Sequence, residues 1–211
     1  MGTPPHQTLT AETLELWRGD RCLFSDLNLS AAPGELLQVT GPNGSGKTSL
    51  LRVLTGLTQP ESGRVLWGAA TIGQARYDYQ ASMGYVAHRE GLYDDLSLRQ
   101  NLTWGCGLHQ EVDTAEIDQM LAHTGLAAAA DVPAYALSAG QKRRLSLARI
   151  ALSGKALWIL DEPLANLDVD ARQWCDDLIA RHVEQGGSVV ATSHQPLCGD
   201  RVSRREVALT G

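Results

Sequence analysis

Two segments near the start of the chain alternate apolar and polar positions. They are LTAETLELWRG, which begins at Leu9, and RCLFSDLNLSA, which begins at Arg21, and Gly19 and Asp20 lie between them. Alternation with a period of two is typical of strands with one buried face, and a short Gly-containing connection favours antiparallel pairing. The pattern therefore predicts an antiparallel β subdomain in the N-terminal part of the chain.

Further along, short apolar strands alternate with helices. PGELLQVTG predicts a strand, and KTSLLRVLTGL, from Lys47 to Leu57, carries apolar residues at helical spacing. KALWILDEP and GGSVVATSH predict two more buried strands, with a helix from Asp168 to Glu184 between them. Strands that alternate with helices indicate a mostly parallel sheet, so we expect an α/β core.

A mostly helical stretch extends from about Ser97 to Ala130, with Gly and Pro on either side. It predicts a helical subdomain, about residues 90–150, within one domain that spans residues 1–211. The chain has 211 residues, of which 43% are hydrophobic. That is enough for one well-buried core and too little for two independent domains.

Charge and composition exclude several classes of function. The net charge of −6, from 24 acidic and 18 basic residues, provides no positive field for a polyanion, so we expect no nucleic-acid partner. No apolar run approaches the roughly 18 residues of a membrane span, and the first residues do not resemble an export signal. The four cysteines are far apart, which disfavours a structural zinc site, and Cys106 and His109 are assigned to loop or packing roles.

The segment GPNGSGKT, from Gly41 to Thr48, meets every fixed position of the phosphate-loop pattern G-x-x-x-x-G-K-[ST] between a strand and a helix. Its glycines let backbone N–H groups face phosphates, Lys47 supplies a cation, and the Thr48 hydroxyl suits Mg²⁺. The expected ATP-binding residues of this loop are Gly41, Pro42, Asn43, Gly44, Ser45, Gly46, Lys47, Thr48 and Ser49.

Hydrolysis of a magnesium-bound triphosphate also needs carboxylates. Asp161 ends the apolar strand ALWIL, where it can reach the metal through water, and Glu162 beside it is the candidate general base. His194 ends the strand SVVAT and is expected near the γ-phosphate. Without the phosphate loop, the two acids would be an ordinary turn after a strand, and a histidine at a strand end is more often a bystander.

A second turn of small residues, in LSAGQKRRL from Leu137 to Leu145, opens another helix with basic residues. One nucleotide site does not need two such turns. Together with the phosphate loop and the acidic strand, this turn resembles the signature LSGGQ of the ATP-binding-cassette (ABC) ATPases, in which it completes the site of a second copy. The resemblance therefore implies a homodimer that sandwiches ATP, with a signature of Ser138, Ala139, Gly140 and Gln141 acting on the partner's nucleotide.

The resemblance extends over residues 9–209 and implies further roles. It identifies GPNGSGKT as Walker A, LWILDEP as Walker B, ANLD as the D-loop ending in Asp168, and SHQ as the switch with His194. It also places Trp17 where the family stacks an aromatic ring on adenine, although a strand-end aromatic that caps the core is the alternative. His88 stands where the family usually has Gln, and an imidazole there would act on Mg²⁺ through a water.

Among small stand-alone cassettes, the stretches LSAGQKRRLSLARI and LWILDEPLANLDVD most resemble the ATPases of bacterial cytochrome c maturation. That resemblance implies a peripheral protein on the cytoplasmic face of the inner membrane, in a complex with cytochrome c maturation proteins B and C, and with D and the haem-loaded chaperone E. It would power haem export or release of the chaperone. A different small exporter ATPase, for lipid, peptide or drug, and a soluble cassette that regulates another machine remain alternatives.

The surface that couples such a cassette to its membrane subunits is expected between Met83 and Gly125. This region contains the loop around His88, called the His88 loop below, and the helical stretch. Tyr93 and Trp104 in this region either form an apolar patch for a coupling helix or pack inside the helices.

Overall fold

The alternating segments pair as an antiparallel hairpin at the start of the fold. The computed structural model describes residues 6–107 and 113–210. In it, β1 (Leu9–Arg18) pairs with β2 (Arg21–Ala31) on one edge and with β4 (Ser62–Trp67) on the other, and β4 continues to the short β5 (Ala70–Thr71). The predicted antiparallel β subdomain is therefore confirmed, and β4 and β5 are additional strands that the sequence pattern did not predict.

A second sheet consists of parallel neighbours in the order β6-β7-β8-β3-β9. Its strands are β3 (Leu36–Thr40), β6 (Met83–Val86), β7 (Leu157–Asp161), β8 (Ser188–Thr192) and β9 (Arg204–Ala208). All residues of β7 and β8 are buried, which explains why both read as continuous apolar runs. The prediction of an α/β fold with a mostly parallel core sheet is confirmed.

Helices cover both faces of this parallel sheet. On one face, α1 (Lys47–Leu54) packs through Leu50 and Leu54 into the apolar cluster that holds Ile159 of β7. On the other face, α6 (Val169–Glu184) packs with Trp158 and Leu160 of the same strand. Alternate residues of one strand thus belong to two different cores, as expected for a strand that is buried on both sides.

A third apolar cluster lies among helices in the middle of the chain. It joins α3 (Leu98–Gly107), α4 (Thr114–His123) and α5 (Ala139–Leu152), and two 3₁₀ turns lie between α4 and α5. A further helix, α2 (Arg76–Ser82), precedes β6. His109 falls in residues 108–112, outside the described residues. The assignment of about residues 90–150 to a separate subdomain stays a prediction.

The strand register brings the functional segments to one edge of the parallel sheet. Asp161 at the end of β7 lies beside Thr192 at the end of β8, and Val39 of β3 lies on the other side of Thr192. Val86, the last residue of β6, pairs with Leu160. The loops that follow these strands therefore leave the sheet side by side. Within the described part of the chain, the helices are too short or too polar to traverse a bilayer.

Candidate functional site

The phosphate loop lies between β3 and α1, and two of its glycines are needed for its shape. Gly41 has a φ of 142°, and a Cβ there would lie 2.4 Å from the carbonyl oxygen of Leu209. Gly46, the N-cap residue just before α1, has a φ of 98°. The first N–H groups of an α-helix have no intrahelical acceptor and carry a partial positive charge, so this helix start suits a phosphate.

Polar side chains line the inside of the loop. Lys47 is buried, and its Nζ donates hydrogen bonds to the carbonyl oxygens of Gly41 (2.8 Å) and Pro42 (3.1 Å). The Oγ of Ser45 is buried and has no hydrogen-bond partner among the described residues. Thr48 is exposed at the start of α1. A cation, an unpartnered hydroxyl and free helix N–H groups together fit a polyphosphate.

Two carboxylates lie next to this loop. Asp161 is 2% exposed, and its Oδ1 accepts a hydrogen bond of 2.8 Å from the Oγ1 of Thr192. The Oδ2 of Asp161 and the Oε1 of Glu162 are buried and accept no hydrogen bond from the described residues. The Nε2 of His194 is 3.5 Å from that Glu162 oxygen. Buried carboxylate oxygens without a hydrogen bond are suited to bind a water molecule or a cation that prefers oxygen ligands, such as Mg²⁺.

These groups surround one cavity of about 450 Å³. Most of the sequence-predicted site residues meet there, and the structure adds Arg18 and Leu23 from the hairpin and Ala165 from the loop after β7. The cavity is lined by Arg18, Leu23, Asn43, Gly44, Gly46, Lys47, Thr48, Ser49, His88, Asp161, Glu162, Ala165 and His194. Arg18 adjoins Trp17 in sequence, but nothing in its own pattern distinguished it from any basic residue at a hairpin turn.

Trp17 itself does not line this cavity. Its side chain is 45% exposed, and its Nε1 donates a hydrogen bond of 2.7 Å to the Oε1 of Glu15. This bond and one from Ser62 lower the pKa of the Glu15 carboxyl. The adenine contact of Trp17 stays a prediction. Arg18, the next residue in the chain, lines the cavity.

The signature residues do not line the cavity of their own chain. They form the start of α5, where the Oγ of Ser138 accepts a bond from the Gln141 N–H (3.2 Å) and the Gln141 Oε1 accepts one from the Ser138 N–H (2.9 Å). This is a capping box, which the spacing S-x-x-Q could have predicted. Ala139 is the first helical residue, so its methyl group causes no backbone strain.

The signature and the D-loop of one chain are in close contact. A Cβ on Gly140 would lie 2.5 Å from the carbonyl oxygen of Asn166, so this position requires glycine for reasons of space. Asp168, the last D-loop residue, caps α6 by accepting a hydrogen bond of 2.9 Å from the Ala171 N–H. The structure thus assigns Asp168 a local role in the chain, independent of any dimer.

Comparison with known proteins gives a family and close relatives. A family model described as ABC transporter matches residues 24–165. The "Cytochrome c biogenesis ATP-binding export protein CcmA" of Nitrosomonas europaea is 42% identical over 99% of this chain and 99% of its own length. The protein of the same name from Methylococcus capsulatus is 48% identical over 90% of this chain and 92% of its own length.

Solved structures share the fold at lower identity. The ATP-binding subunit of an ABC transporter superposes with a TM-score of 0.84 at 20% identity and covers 96% of this chain and 85% of its own. A dimeric ATP-binding cassette in a post-hydrolysis state, bound to ADP and Pi, superposes with a TM-score of 0.83 at 20% identity over 96% and 94% of the two chains. At this identity the structures support the fold alone.

Proposed function

Because this chain belongs to the ABC transporter family and, within it, to the CcmA proteins, we propose that it hydrolyses ATP as the ATPase subunit of a cytochrome c biogenesis complex. One observation carries the hydrolytic part: Lys47 at the start of α1, Asp161 and Glu162 at the end of β7, and His194 just after β8 meet around one cavity. The names of relatives that match almost the whole chain support the pathway.

In this proposal the phosphates lie along the loop from Gly41 to Ser49, against Lys47 and the start of α1. Thr48 and, through water, Asp161 would hold Mg²⁺, which neutralises charge on the phosphates. Glu162 accepts the proton of the attacking water while the γ-phosphoryl group is transferred to that water, giving ADP and phosphate. His194 lies 3.5 Å from Glu162, where it can orient the carboxylate and contact the γ-phosphate.

We further propose that two copies form the active unit. Ser138, Ala139, Gly140 and Gln141 lie outside their own cavity, yet they begin a helix, and the partial positive charge at a helix N-terminus suits an anion. In a head-to-tail homodimer these residues would contact the nucleotide held by the other copy. One solved cassette of the same fold is itself dimeric.

The proposed partners are the integral membrane subunits, cytochrome c maturation proteins B and C, with D and the haem-loaded chaperone E. The chain would lie on the cytoplasmic face of the bacterial inner membrane and act as an ABC-type haem transporter ATPase, powering haem export or release of the chaperone. The export named in its relatives supports this placement.

Complementation of a deletion strain tests the proposal. The deletion should abolish covalent haem attachment to c-type cytochromes and leave b-type cytochromes normal, as measured by haem staining and difference spectra. Lys47→Ala and Glu162→Gln copies should not restore attachment. Arg64→Gln, which removes only an exposed ion pair with Glu12, should restore it. Normal c-type cytochromes in the deletion strain would refute the pathway and favour another small exporter or a soluble cassette.

A further inference from the structure

Arg143 is a buried cation in the helix that starts with the signature. It lies two residues after Gln141 and is 2% exposed. Its Nη1 donates a hydrogen bond of 2.8 Å to the carbonyl oxygen of Ala87. Its Nη2 donates to the carbonyl oxygens of Asp161 and Glu162, the latter at 2.6 Å. One guanidinium thus joins α5, the loop before His88 and the acidic turn after β7.

Burial of the charged guanidinium costs free energy, which its hydrogen bonds must offset. Burial lowers the pKa of Arg143, although nearby Glu90, Asp161 and Glu162 oppose that effect. Among the described residues, no carboxylate forms an ion pair with it, and its partners are backbone carbonyl oxygens. The flat guanidinium holds its donors in a rigid fork, whereas the three donors of a lysine ammonium rotate on a flexible chain.

Two of the carbonyl groups that Arg143 contacts, those of Asp161 and Glu162, belong to a strained turn. Glu162 has a φ of 51°, a left-handed conformation that is unfavourable for a residue with a side chain. Its N–H donates to the Oγ1 of Thr192 (2.9 Å), and its carbonyl oxygen accepts from Arg143 and from the Ala165 N–H (3.0 Å). Both backbone polar groups of Glu162 therefore form hydrogen bonds, and Arg143 supplies a cationic contact to its carbonyl oxygen.

Two more residues on the same face of α5 hold the His88 loop. The Oγ of Ser146 donates to the carbonyl oxygen of Glu90 at 3.1 Å. Arg149 donates to the carbonyl oxygens of Gly91 (2.7 Å) and Glu90 (3.1 Å). Arg143, Ser146 and Arg149 are three residues apart, so they form one row along the helix. Of these three residues, Arg143 bonds to the turn that contains Glu162, whereas Ser146 and Arg149 bond to Glu90 and Gly91.

We propose that Arg143 is a positioning residue for ATP hydrolysis: from the signature helix it holds the Glu162 turn and the His88 loop in the geometry that the attack of water requires. The inference rests on the proposed function, because it takes Glu162 as the base. It adds a physical link from the signature, which faces the partner's site, to the base of the chain's own site.

Arg143→Met removes the cation and keeps much of the side-chain volume. We expect kcat for ATP to fall by about 30-fold or more, because misplacing a reacting group by about 1 Å costs on the order of 100-fold, while the Kd for ATP changes less than about threefold. Arg143→Lys should give an intermediate loss. Arg144→Met is the matched control, since Arg144 donates to the carbonyl oxygen of Thr124, away from the cavity, and it should keep the original kcat.

The measurement uses the full chain purified with its membrane partners, and it includes Glu162→Gln alone and combined with Arg143→Met. If Arg143 acts through Glu162, the double variant should turn over ATP at the rate of Glu162→Gln. A further drop in the double variant, or an unchanged kcat in Arg143→Met, overturns the inference. Should Arg143→Met fail to fold, Arg143→Lys decides: a loss of kcat at unchanged Kd supports the inference, and an original kcat overturns it.

The same data separate this inference from the proposed function. A Glu162→Gln variant that hydrolyses ATP at the original rate refutes Glu162 as the base and Arg143 as its positioning residue. If Glu162→Gln is inactive and Arg143→Met is fully active, the proposed function stands and only the inference about Arg143 is wrong.

Discussion

Gly41 stands where β3 ends and the chain turns into the phosphate loop. A Cβ there would lie 2.4 Å from the carbonyl oxygen of Leu209 and 2.8 Å from the Ser45 Oγ, and the φ of 142° is rarely adopted by other residues. The carbonyl group of Leu209 cannot move freely, because the Leu209 N–H donates a hydrogen bond to the Thr40 carbonyl oxygen. The loop therefore depends on the absence of one methyl group.

We predict that Gly41→Ala lowers the free energy of unfolding by about 2–4 kcal/mol and weakens ATP binding by more than about tenfold. Gly19→Ala is the control, because Gly19 also has a positive φ but a Cβ there would meet nothing within 4 Å. It should cost about 1 kcal/mol and leave ATP binding unchanged. Denaturant melts and equilibrium dialysis measure both effects, and equal losses in the two variants would contradict this account of Gly41.

Residues in short local patterns could be predicted from the sequence, and residues that depend on strand register could not. The loop from Gly41 to Ser49 is recognisable because its chemistry lies in consecutive positions. Thr192, whose hydroxyl bonds both Asp161 and the Glu162 N–H, is an ordinary strand residue until β8 is placed beside β7. The role of Arg143 likewise depends on contacts across 18 and 56 positions.

At the scale of elements, β7 and α6 meet through two stacked rings. The indole of Trp158 and the imidazole of His182 lie 3.8 Å apart with an interplanar angle of 8°. The Nε2 of His182 is 3.2 Å from the carbonyl oxygen of Ala156, and a Cβ on Gly187 would lie 2.2 Å from that nitrogen. Burial lowers the pKa of His182 to about 4. The contact thus requires a neutral imidazole.

Because of this contact, the free energy of unfolding depends on pH. A histidine in the unfolded chain has a pKa of about 6.5. The unfolded state therefore binds more protons than the folded state between about pH 6.5 and 4. We predict that the free energy of unfolding falls by up to a few kcal/mol as the pH drops through this window. His182→Phe keeps a stacked ring without a titrating group and should flatten the curve in urea melts. Parallel curves for the original chain and His182→Phe would exclude His182 as the cause.

The strands and helices show the same limits of sequence prediction. The strands β3, β7 and β8 and the helices α1 and α6 were predicted because each is a clear apolar run or a helical period. The strand β6, MGYV, is only four residues long and contains Gly84. A Cβ on Gly84 would lie 2.7 Å from the side chain of Ile150, so this glycine permits close packing of α5. Propensity alone would have counted it against a strand.

On the scale of the whole molecule, exposed aromatics lie near the His88 loop. Tyr93 is 54% exposed and Trp104 is 64% exposed, so packing inside the helices is the wrong alternative for both. The backbone N–H and carbonyl oxygen of Tyr93 are fixed by the side chain of Asn101, at 2.8 and 3.0 Å. A ring displayed on a fixed backbone loses little entropy when a partner covers it.

We predict that the double change Tyr93→Ser and Trp104→Ser reduces co-purification with membrane subunits by at least about tenfold, as buried aromatics often dominate interfaces. Nucleotide affinity should stay the same, since neither side chain lines the cavity. Tyr77→Ser is the matched control, because Tyr77 is 88% exposed on α2. Quantitative pull-down from membranes measures both. Loss of partners in the control alone would place the docking surface on the α2 side.

The backbone contact between Gly140 and Asn166 has a consequence for a dimer. A Cβ on Gly140 would clash with the Asn166 carbonyl oxygen, so the first turn of α5 and the D-loop are closely packed and cannot move further toward each other at this point. In the proposed dimer, the first turn of α5 senses the nucleotide of the partner, and the D-loop leads directly to the chain's own Walker B turn. ATP binding at one site would then change the geometry of the other site through this contact. The two sites would hydrolyse ATP together, and turnover would depend cooperatively on ATP concentration.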